Sequence, residues 1–184
     1  IDLLDIHDAG SIEYFGQLEI ARTGGPESLT VRDRTKGQHT SLTEEAIRSV
    51  RRNVGFVFQN FNLWEDKTVL ENLVLAPIAV AGQSREFVES KAAELCEHFG
   101  LLRRIHSRAW QLSGGERQRV SILRALMMEP RLMLLDEVTS ALDPLLTFSV
   151  MESISQLREQ GLAMIIVTHH LEFASSLCDR LLFL

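Results

Sequence analysis

The sequence predicts an α/β fold built on a mostly parallel sheet that helices cover on both faces. Its 184 residues are enough for one domain with a substantial core. Three apolar runs that do not alternate with polar residues are typical of strands inside such a sheet: residues 54–58, 132–135 and 163–167. Segments with helical periodicity separate these runs, which favours parallel strands joined by helical crossovers.

The remaining elements follow from periodicity and from residues that begin or end helices. Short strands are expected at 11–15 and 18–20, with a loop or edge hairpin over 22–41 and a last strand at 180–184. The expected helices are 43–52, two within 68–110, 113–130, 145–160 and 171–178. Ser113 is a suitable N-cap, and Gly100 and Gly161 end the helices that precede them.

Composition and charge narrow the classes of function. A formal net charge of −6 without a basic stripe argues against nucleic acid as the main partner. No apolar run approaches the ~18 residues that a membrane-spanning helix needs. Cys96 and Cys178 lie far apart without metal-ligand spacing, so we expect free, buried and inert thiols in a reducing compartment.

Polar residues follow all three central strands. Gln59 comes after the first, Asp136 and Glu137 after the second, and His169 after the third. In parallel sheets, ligands bind beyond the carboxyl ends of the strands. Any strand that leaves the core is followed by polar residues, so each of these residues alone is weak evidence for a site. The three ends together favour a binding site.

These side chains suit phosphate chemistry. Asp136 is suited to holding Mg²⁺, because hard divalent cations take carboxylate oxygens. Glu137 can act as general base toward an attacking water. His169 can hydrogen-bond a terminal phosphate oxygen, although a histidine that merely caps a strand is the alternative. Gln59 can hold metal or water through its amide.

A Ser-Gly-Gly turn lies upstream of the two carboxylates. Ser113, Gly114 and Gly115 place a hydroxyl and unhindered backbone N–H groups at a helix start, where the helix dipole favours an anion. An ordinary N-cap with a glycine turn is the alternative. Within the longer pattern of residues 112–119, with Asp136 and Glu137 following downstream, the turn indicates nucleotide hydrolysis.

Five motifs in one order make the chain similar to the ATP-binding-cassette (ABC) family. Residues 112–116 resemble the family's signature, 132–137 its Walker B strand and 140–143 its D-loop. Gln59 corresponds to the Q-loop glutamine, and His169 to the switch histidine. Further stretches at 51–64, 68–73 and 124–130 are similar to ATPase subunits of bacterial importers for polar amino acids, the arginine type in particular.

The resemblance implies a P-loop NTPase-like fold. Residues 1–184 would form one nucleotide-binding domain, cut at both ends, with an inserted helical subdomain over residues 60–125. The protein would be the ATP-hydrolysing subunit of an importer for polar or basic amino acids, driving transport through dimerisation and hydrolysis. ATP and Mg²⁺ would be its cofactors. Its partners would be a second ATPase subunit, in a homodimer, and transmembrane permease subunits, with no nucleic acid. Its place would be cytoplasmic, on the inner face of the cell membrane.

The resemblance also assigns roles to individual residues. The catalytic set would be Glu137, His169 and Gln59, and the metal ligands would be Asp136 and Gln59. The nucleotide-binding set would be Ser113, Gly114, Gly115, Glu116 and Asp143. In a head-to-tail dimer, Ser113 and Gly115 would touch the γ-phosphate of ATP held on the partner subunit.

Two departures from the family pattern qualify these expectations. The sequence contains no G-x-x-x-x-G-K-[ST] phosphate loop, so we expect this chain alone to bind Mg-ATP weakly or not at all and to be inactive. The segment Glu65-Asp66-Lys67 is more charged than is usual after the Q-loop. The rival hypotheses are a non-catalytic half-site partner that never had a phosphate loop, and a soluble cassette protein of DNA repair or translation. Intact Glu137 and His169 argue against the first, and the acidic balance against the second.

Overall fold

A computed structural model describes residues 10–14, 18–22, 29–33, 38–41, 48, 51–140 and 142–183. The chain divides into two compact units, Ile1–Arg51 and Arg52–Leu184. Most of the helix expected at 43–52 lies outside the described residues.

The first unit contains a four-stranded antiparallel sheet in the order β1-β2-β3-β4. Its strands are β1 (Gly10–Tyr14), β2 (Leu18–Arg22), β3 (Leu29–Asp33) and β4 (Gln38–Ser41). Each strand pairs with the next along the chain, as in Ile12↔Ile20 and Ile20↔Val31. The two short strands predicted here are confirmed over their described residues. Within the region 22–41, for which a loop or edge hairpin is expected, β3 and β4 pair antiparallel.

The second unit contains a three-stranded parallel sheet in the order β5-β6-β7. The strands are β5 (Val54–Val57), β6 (Leu132–Asp136) and β7 (Ala163–Val167). Val57 pairs with Leu135, and Asp136 pairs with Val167. The strands therefore reach their carboxyl ends at one edge of the sheet, which confirms the predicted parallel arrangement.

Five α-helices accompany this sheet in the described part of the unit. They are α1 (Val69–Ala79), α2 (Arg85–His98), α3 (Gly114–Leu126), α4 (Pro144–Glu159) and α5 (Leu171–Leu177). Two short 3₁₀ turns, Leu102–Arg104 and Ala109–Gln111, lie between α2 and α3. Side-chain oxygens of Thr68, Ser84, Ser113 and Asp143 cap the first four helices. Local capping chemistry thus explains where these helices begin.

Helix α3 covers one face of the parallel sheet. A Cβ at Gly55 of β5 would meet Met133 of β6 and Ala125 of α3, so the absence of a side chain permits this close approach. The opposite face is more open, because Ile165 and Val167 of β7 are about half exposed. The expectation of helices on both faces is therefore wrong for the described residues, because their helical packing is concentrated on the Gly55 face.

The strand expected at 180–184 is also wrong over residues 180–183, which form no strand. The described parallel sheet ends at β7, so this segment has no neighbouring strand with which to hydrogen-bond. Leu182 and Phe183 are 84% and 74% exposed there.

The core of the second unit lies between helices and sheet. Ile122 and Leu123 of α3, Leu73 of α1 and Met133 of β6 are fully buried within one apolar cluster. None of the helices in the described ranges combines the length and apolar character that crossing a lipid bilayer requires.

Candidate functional site

The carboxyl edge of the parallel sheet gathers the residues expected at the strand ends. Asp136 is the last residue of β6 and is partly buried, and Glu137 follows it. Gln59 lies two residues beyond β5, and His169 two residues beyond β7. The parallel register thus brings the three ends together, as their order in the sequence predicts.

His169 and Glu137 are in direct contact. Nδ1 of His169 lies 2.9 Å from both carboxylate oxygens of Glu137, and Oε1 has hydrogen-bond geometry. Oε2 is buried and makes no hydrogen bond in the described residues. The His169 side chain is 64% exposed, whereas that of Glu137 is only 22% exposed. Within the described part of the chain, the carboxylate therefore retains one acceptor oxygen without a hydrogen bond.

Ser140 connects Gln59 to the backbone of Glu137. Nε2 of Gln59 donates to the Ser140 hydroxyl at 3.1 Å. The hydroxyl in turn donates to the carbonyl oxygen of Glu137 at 2.8 Å. Since the amide nitrogen of Gln59 is used in this way, its amide oxygen is the atom that remains available for a ligand.

Glu137 has an unusual backbone conformation. Its φ of 49° places it in the left-handed region, which non-glycine residues seldom adopt. Two hydrogen bonds hold it there, from the N–H of Glu137 to the carbonyl of Val167 and from the N–H of Ser140 to the carbonyl of Glu137. Strain of this kind, about 1–3 kcal/mol, persists where surrounding contacts fix the chain, and it clusters at functional sites.

Asp143 lies at the start of α4, beyond this turn. Its Oδ1 accepts the N–H of Leu146 at 3.0 Å and so caps the helix. The D-loop-like residues 140–143 therefore run from the Ser140 bridge to a helix cap. One carboxylate oxygen of Asp143 is used structurally, and the side chain is exposed.

The Ser-Gly-Gly turn opens α3 with a complete capping box. The Ser113 hydroxyl accepts the N–H of Glu116 at 3.3 Å, and Oε2 of Glu116 accepts the N–H of Ser113 at 2.8 Å. Because the hydroxyl oxygen acts as an acceptor here, its own O–H remains free to donate outward. We call residues 113–116 the signature turn, after the family motif that they resemble.

Arg104 supports the signature turn from a preceding 3₁₀ turn. Its Nε lies 3.0 Å from Oε1 of Glu116. Partial burial raises the pKa of Glu116, but the N–H of Ser113 and the charge of Arg104 outweigh this effect, so the pKa lies below its ordinary value. Glu116 therefore stays ionised at neutral pH, and both its oxygens are used to hold the turn.

The signature turn also contacts the start of α4. A Cβ at Gly114 would lie 3.3 Å from Cδ2 of Leu142, and one at Gly115 would lie 3.1 Å from Cβ of Leu146. The second approach is tighter than most side-chain contacts, so a side chain at position 115 would have to displace Leu146. The turn thus packs against residues that follow the Glu137 turn.

The candidate residues therefore form two groups. Gln59, Asp136, Glu137 and His169 share the sheet edge, whereas Ser113, Gly114, Gly115 and Glu116 form the signature turn, with Asp143 capping α4. Among the described residues, no hydrogen bond joins the first group to the signature turn. Sequence reasoning missed the bridging role of Ser140, although it did include this residue in the D-loop-like stretch 140–143. It also missed Arg104, for which the sequence offers no local signal.

The sheet edge has the donor atoms that Mg²⁺ prefers. This ion is usually held by one or two carboxylates together with phosphate oxygens and waters. Asp136 offers a carboxylate, and Gln59 offers its unused amide oxygen beside the Ser140 bridge. Within the described ranges, no three His, Cys, Asp or Glu side chains are grouped to hold a metal by themselves. The donor set suits an ion shared with a phosphate ligand.

Comparison with protein families and curated proteins gives consistent matches. The family model described as ABC transporter matches residues 27–140. The chain is 45% identical over 159 residues to the L-cystine transport system ATP-binding protein TcyN of Escherichia coli K12, covering 85% of the chain and 64% of that protein. It is 46% identical over 178 residues to the arginine transport ATP-binding protein ArtM of Bacillus subtilis, covering 96% of the chain and 72% of that protein. The chain thus spans less than two thirds of the length of TcyN.

Solved structures agree with these matches. One is a dimeric post-hydrolysis state of the ATP-binding cassette MJ0796 bound to ADP and Pi, at 34% identity with a TM-score of 0.63, covering 79% of this chain and 65% of that one. Another is the ADP conformation of the cassette MJ1267, at 24% identity with a TM-score of 0.62, covering 82% and 63% respectively. The second likeness concerns the fold alone.

Proposed function

Because the chain belongs to the ABC transporter family, we propose that the protein is the ATP-hydrolysing subunit of a bacterial importer for polar or basic amino acids. The relatives TcyN and ArtM carry names of cystine and arginine transport, which supports this substrate class. The observation that carries the proposal is the contact of Glu137 with His169 at the sheet edge, beside the Gln59–Ser140 bridge.

In this proposal, Glu137 acts as the general base. Its buried Oε2 makes no hydrogen bond among the described residues, so it can accept one from an attacking water. His169 fixes the carboxylate through Nδ1 and leaves its second ring nitrogen to face a phosphate oxygen. Gln59 helps to position the water or the metal through its free amide oxygen.

Asp136 and Gln59 would hold Mg²⁺, which would supply charge neutralisation at the phosphates. The chain's own part is to keep these oxygens at the edge of the sheet, where the register of β6 with β5 and β7 fixes the strand ends.

The signature turn would bind the nucleotide. The O–H of Ser113 and the N–H groups of Gly114 and Gly115, which no intrahelical carbonyl satisfies, can donate to phosphate oxygens. Glu116 would act by holding Ser113 in place, since both its oxygens are already used. Asp143 would contribute from the exposed start of α4.

The same proposal covers the assembly. Two copies would associate head to tail, so that the signature turn of one meets ATP held by the other. Residues 1–184 would belong to a single nucleotide-binding domain, with residues 60–125 as the helical subdomain. That subdomain would contact transmembrane permease subunits at the cytoplasmic face of the cell membrane.

The test begins with the intact protein. Its mass is measured first, because a mass above 20.8 kDa would reveal further sequence that could include a phosphate loop. Mg²⁺-dependent ATP hydrolysis is then measured with the permease, together with uptake of labelled arginine and cystine into vesicles. Hydrolysis coupled to uptake is expected. Nucleotide binding without hydrolysis by the intact protein would instead support the half-site alternative.

A further inference from the structure

Arg117 of α3 connects two segments that are far apart in sequence. Its Nε donates to the carbonyl of Leu112 at 3.1 Å, and its Nη2 donates to the carbonyl of Trp110 at 3.1 Å. Its remaining nitrogen, Nη1, lies 3.5 Å from Oε1 of Glu65. Because the guanidinium is planar and rigid, it holds these three partners in a fixed relation.

The two carbonyls belong to the backbone that leads into the signature turn. Leu112 directly precedes Ser113, and Trp110 lies in the 3₁₀ turn just before it. Arg117 therefore fixes the direction from which the chain enters the turn. A movement of the guanidinium would shift these carbonyls, and with them Ser113.

Glu65 lies in the segment that follows Gln59, residues 60–67, which we call the post-Gln59 segment. Asn72 of α1 is fully buried and holds this segment at Trp64. Its Oδ1 accepts the Trp64 N–H at 2.9 Å, and its Nδ2 donates to the Trp64 carbonyl at 3.1 Å. Trp64, which directly precedes Glu65, is therefore held through both its backbone N–H and its carbonyl.

Arg124 ties the same segment to α3 about two helical turns beyond Arg117. Its two terminal nitrogens donate to the carbonyls of Asn62 and Phe61, and the guanidinium lies 5.3 Å from the ring centroid of Trp64. Residues seven apart share one face of a helix. The post-Gln59 segment thus rests along the face of α3 that carries both arginines.

We propose that Arg117 is a positioning residue that couples the post-Gln59 segment, through Glu65, to the signature turn. The functional meaning of this coupling rests on the proposed function, in which the region after Gln59 meets the permease and the signature turn meets the nucleotide. When the post-Gln59 segment moves, the distance between Glu65 and Arg117 changes. The Arg117 guanidinium then moves with Glu65 and displaces the carbonyls of Leu112 and Trp110.

The ion pair is poorly suited to a purely stabilising role. The side chains of Arg117 and Glu65 are 28% and 55% exposed, and exposed pairs contribute little to stability. Arg117 stabilises the fold through its hydrogen bonds to the two carbonyls. Glu65 contributes only its negative charge, which can be removed without disturbing the packing of the core.

The experiment compares Glu65→Gln with Asp66→Asn by amide NMR of the chain without nucleotide. Both changes remove one exposed carboxylate, but Asp66 makes no ion pair among the described residues. Glu65→Gln is expected to shift the Gly114 and Gly115 amide resonances, and Asp66→Asn to leave them in place. In an Arg117→Gln background the effect of Glu65→Gln should disappear, because the two residues act in series.

Unchanged Gly114 and Gly115 resonances in Glu65→Gln, or additive effects of the two substitutions, would overturn the coupling. In the assembled transporter, Glu65→Gln should raise KM for ATP about two- to fivefold, on the scale of one exposed ion pair, with little change in kcat. The NMR result requires no ATP hydrolysis. If the proposed function is wrong, the change in KM will be absent but the resonance shifts will remain. If the coupling is wrong, the resonance shifts will be absent.

Discussion

Nδ1 of His169 lies 2.9 Å from both carboxylate oxygens of Glu137, although 32 residues separate them in sequence. The contact exists because β6 and β7 are adjacent and parallel, with Asp136 paired to Val167. Two short loops therefore leave the sheet side by side. The proposed base and the histidine that contacts it are thus held by neighbouring strand ends, and strands give a site more rigid support than loops do.

Replacement of Glu137 by glutamine should separate nucleotide binding from turnover. The amide keeps the size of the side chain but cannot accept a proton from water, so kcat of the intact protein should fall by at least about a hundredfold. Nucleotide affinity should change little, and a dimer should accumulate in ATP. Steady-state hydrolysis and size-exclusion chromatography with ATP measure these quantities. Near-normal turnover would remove Glu137 from the general-base role.

Substitution of Asn72 by alanine should destabilise the second unit. Asn72 is fully buried and bonds the N–H and carbonyl of Trp64 together with the carbonyl of Thr68. Its loss leaves the Trp64 N–H without this acceptor, whereas the carbonyls of Trp64 and Thr68 keep the backbone N–H groups of Lys67 and Asn72. The unpaired N–H should cost about 1–3 kcal/mol in the free energy of unfolding. Urea denaturation measures the change. The control is Asn60→Ala, an exposed position, which should change stability by less than about 0.5 kcal/mol.

The two glycines of the signature turn should differ in their tolerance of alanine. Gly115→Ala places a Cβ 3.1 Å from Cβ of Leu146, an atom that cannot move without α4, so we expect a loss of about 1–3 kcal/mol. Gly114→Ala meets only the flexible end of Leu142 at 3.3 Å, and the gain in helix propensity should offset that contact. Thermal unfolding of the pair checks this ranking, and equal losses would contradict the packing argument.

Much of this structure could be predicted from local signals in the sequence. The apolar runs identified β5, β6 and β7, and Ser113 marked the start of α3. The rule that parallel strands end at one edge then placed Glu137 near His169. Arg104 could not be predicted as the partner of Glu116, because that pairing depends on how the 3₁₀ turn packs against α3.

Tertiary context also explains the wrong expectations. The run at 180–184 is apolar enough for a strand, but a strand exists only when a neighbour offers backbone hydrogen bonds. The even apolarity of β7 suggested two covered faces, whereas Ile165 and Val167 remain half exposed. An apolar pattern indicates which faces of a strand are suited to burial. It does not indicate which of those faces the helices cover.

The two cysteines should differ sharply in reactivity. Cys96 is fully buried, and burial raises its pKa to about 11, so only about one molecule in 1,000 carries the thiolate at pH 8. Cys178 is only partly buried, although burial and then Asp179 also raise its pKa. Iodoacetamide should therefore add one group in the native state and a second only in urea, as followed by intact mass. Cys178→Ser should abolish the native-state addition, and persistence of that addition would refute the assignment.

Stability should depend on pH through Glu116. Its folded-state pKa is lowered, with burial opposed by the Ser113 N–H and by Arg104, so ionised Glu116 favours the folded state. This contribution is complete above the unfolded-state pKa and is lost as the pH falls through the lower folded-state pKa. Glu116→Gln should therefore be less stable by about 0.5–1 kcal/mol at pH 7, on the scale of one partly exposed pair at a helix start.

The deficit of Glu116→Gln should shrink as the pH falls from about 7 to about 3.5, because the wild-type carboxylate then begins to gain its proton while the amide does not titrate. Urea denaturation at each pH gives the two free energies of unfolding. Glu94→Gln is the matched control, since Glu94 is exposed and makes no ion pair or hydrogen bond among the described residues. A deficit that stays constant across this range would mean that the capping geometry, and not the charge of Glu116, supports the signature turn.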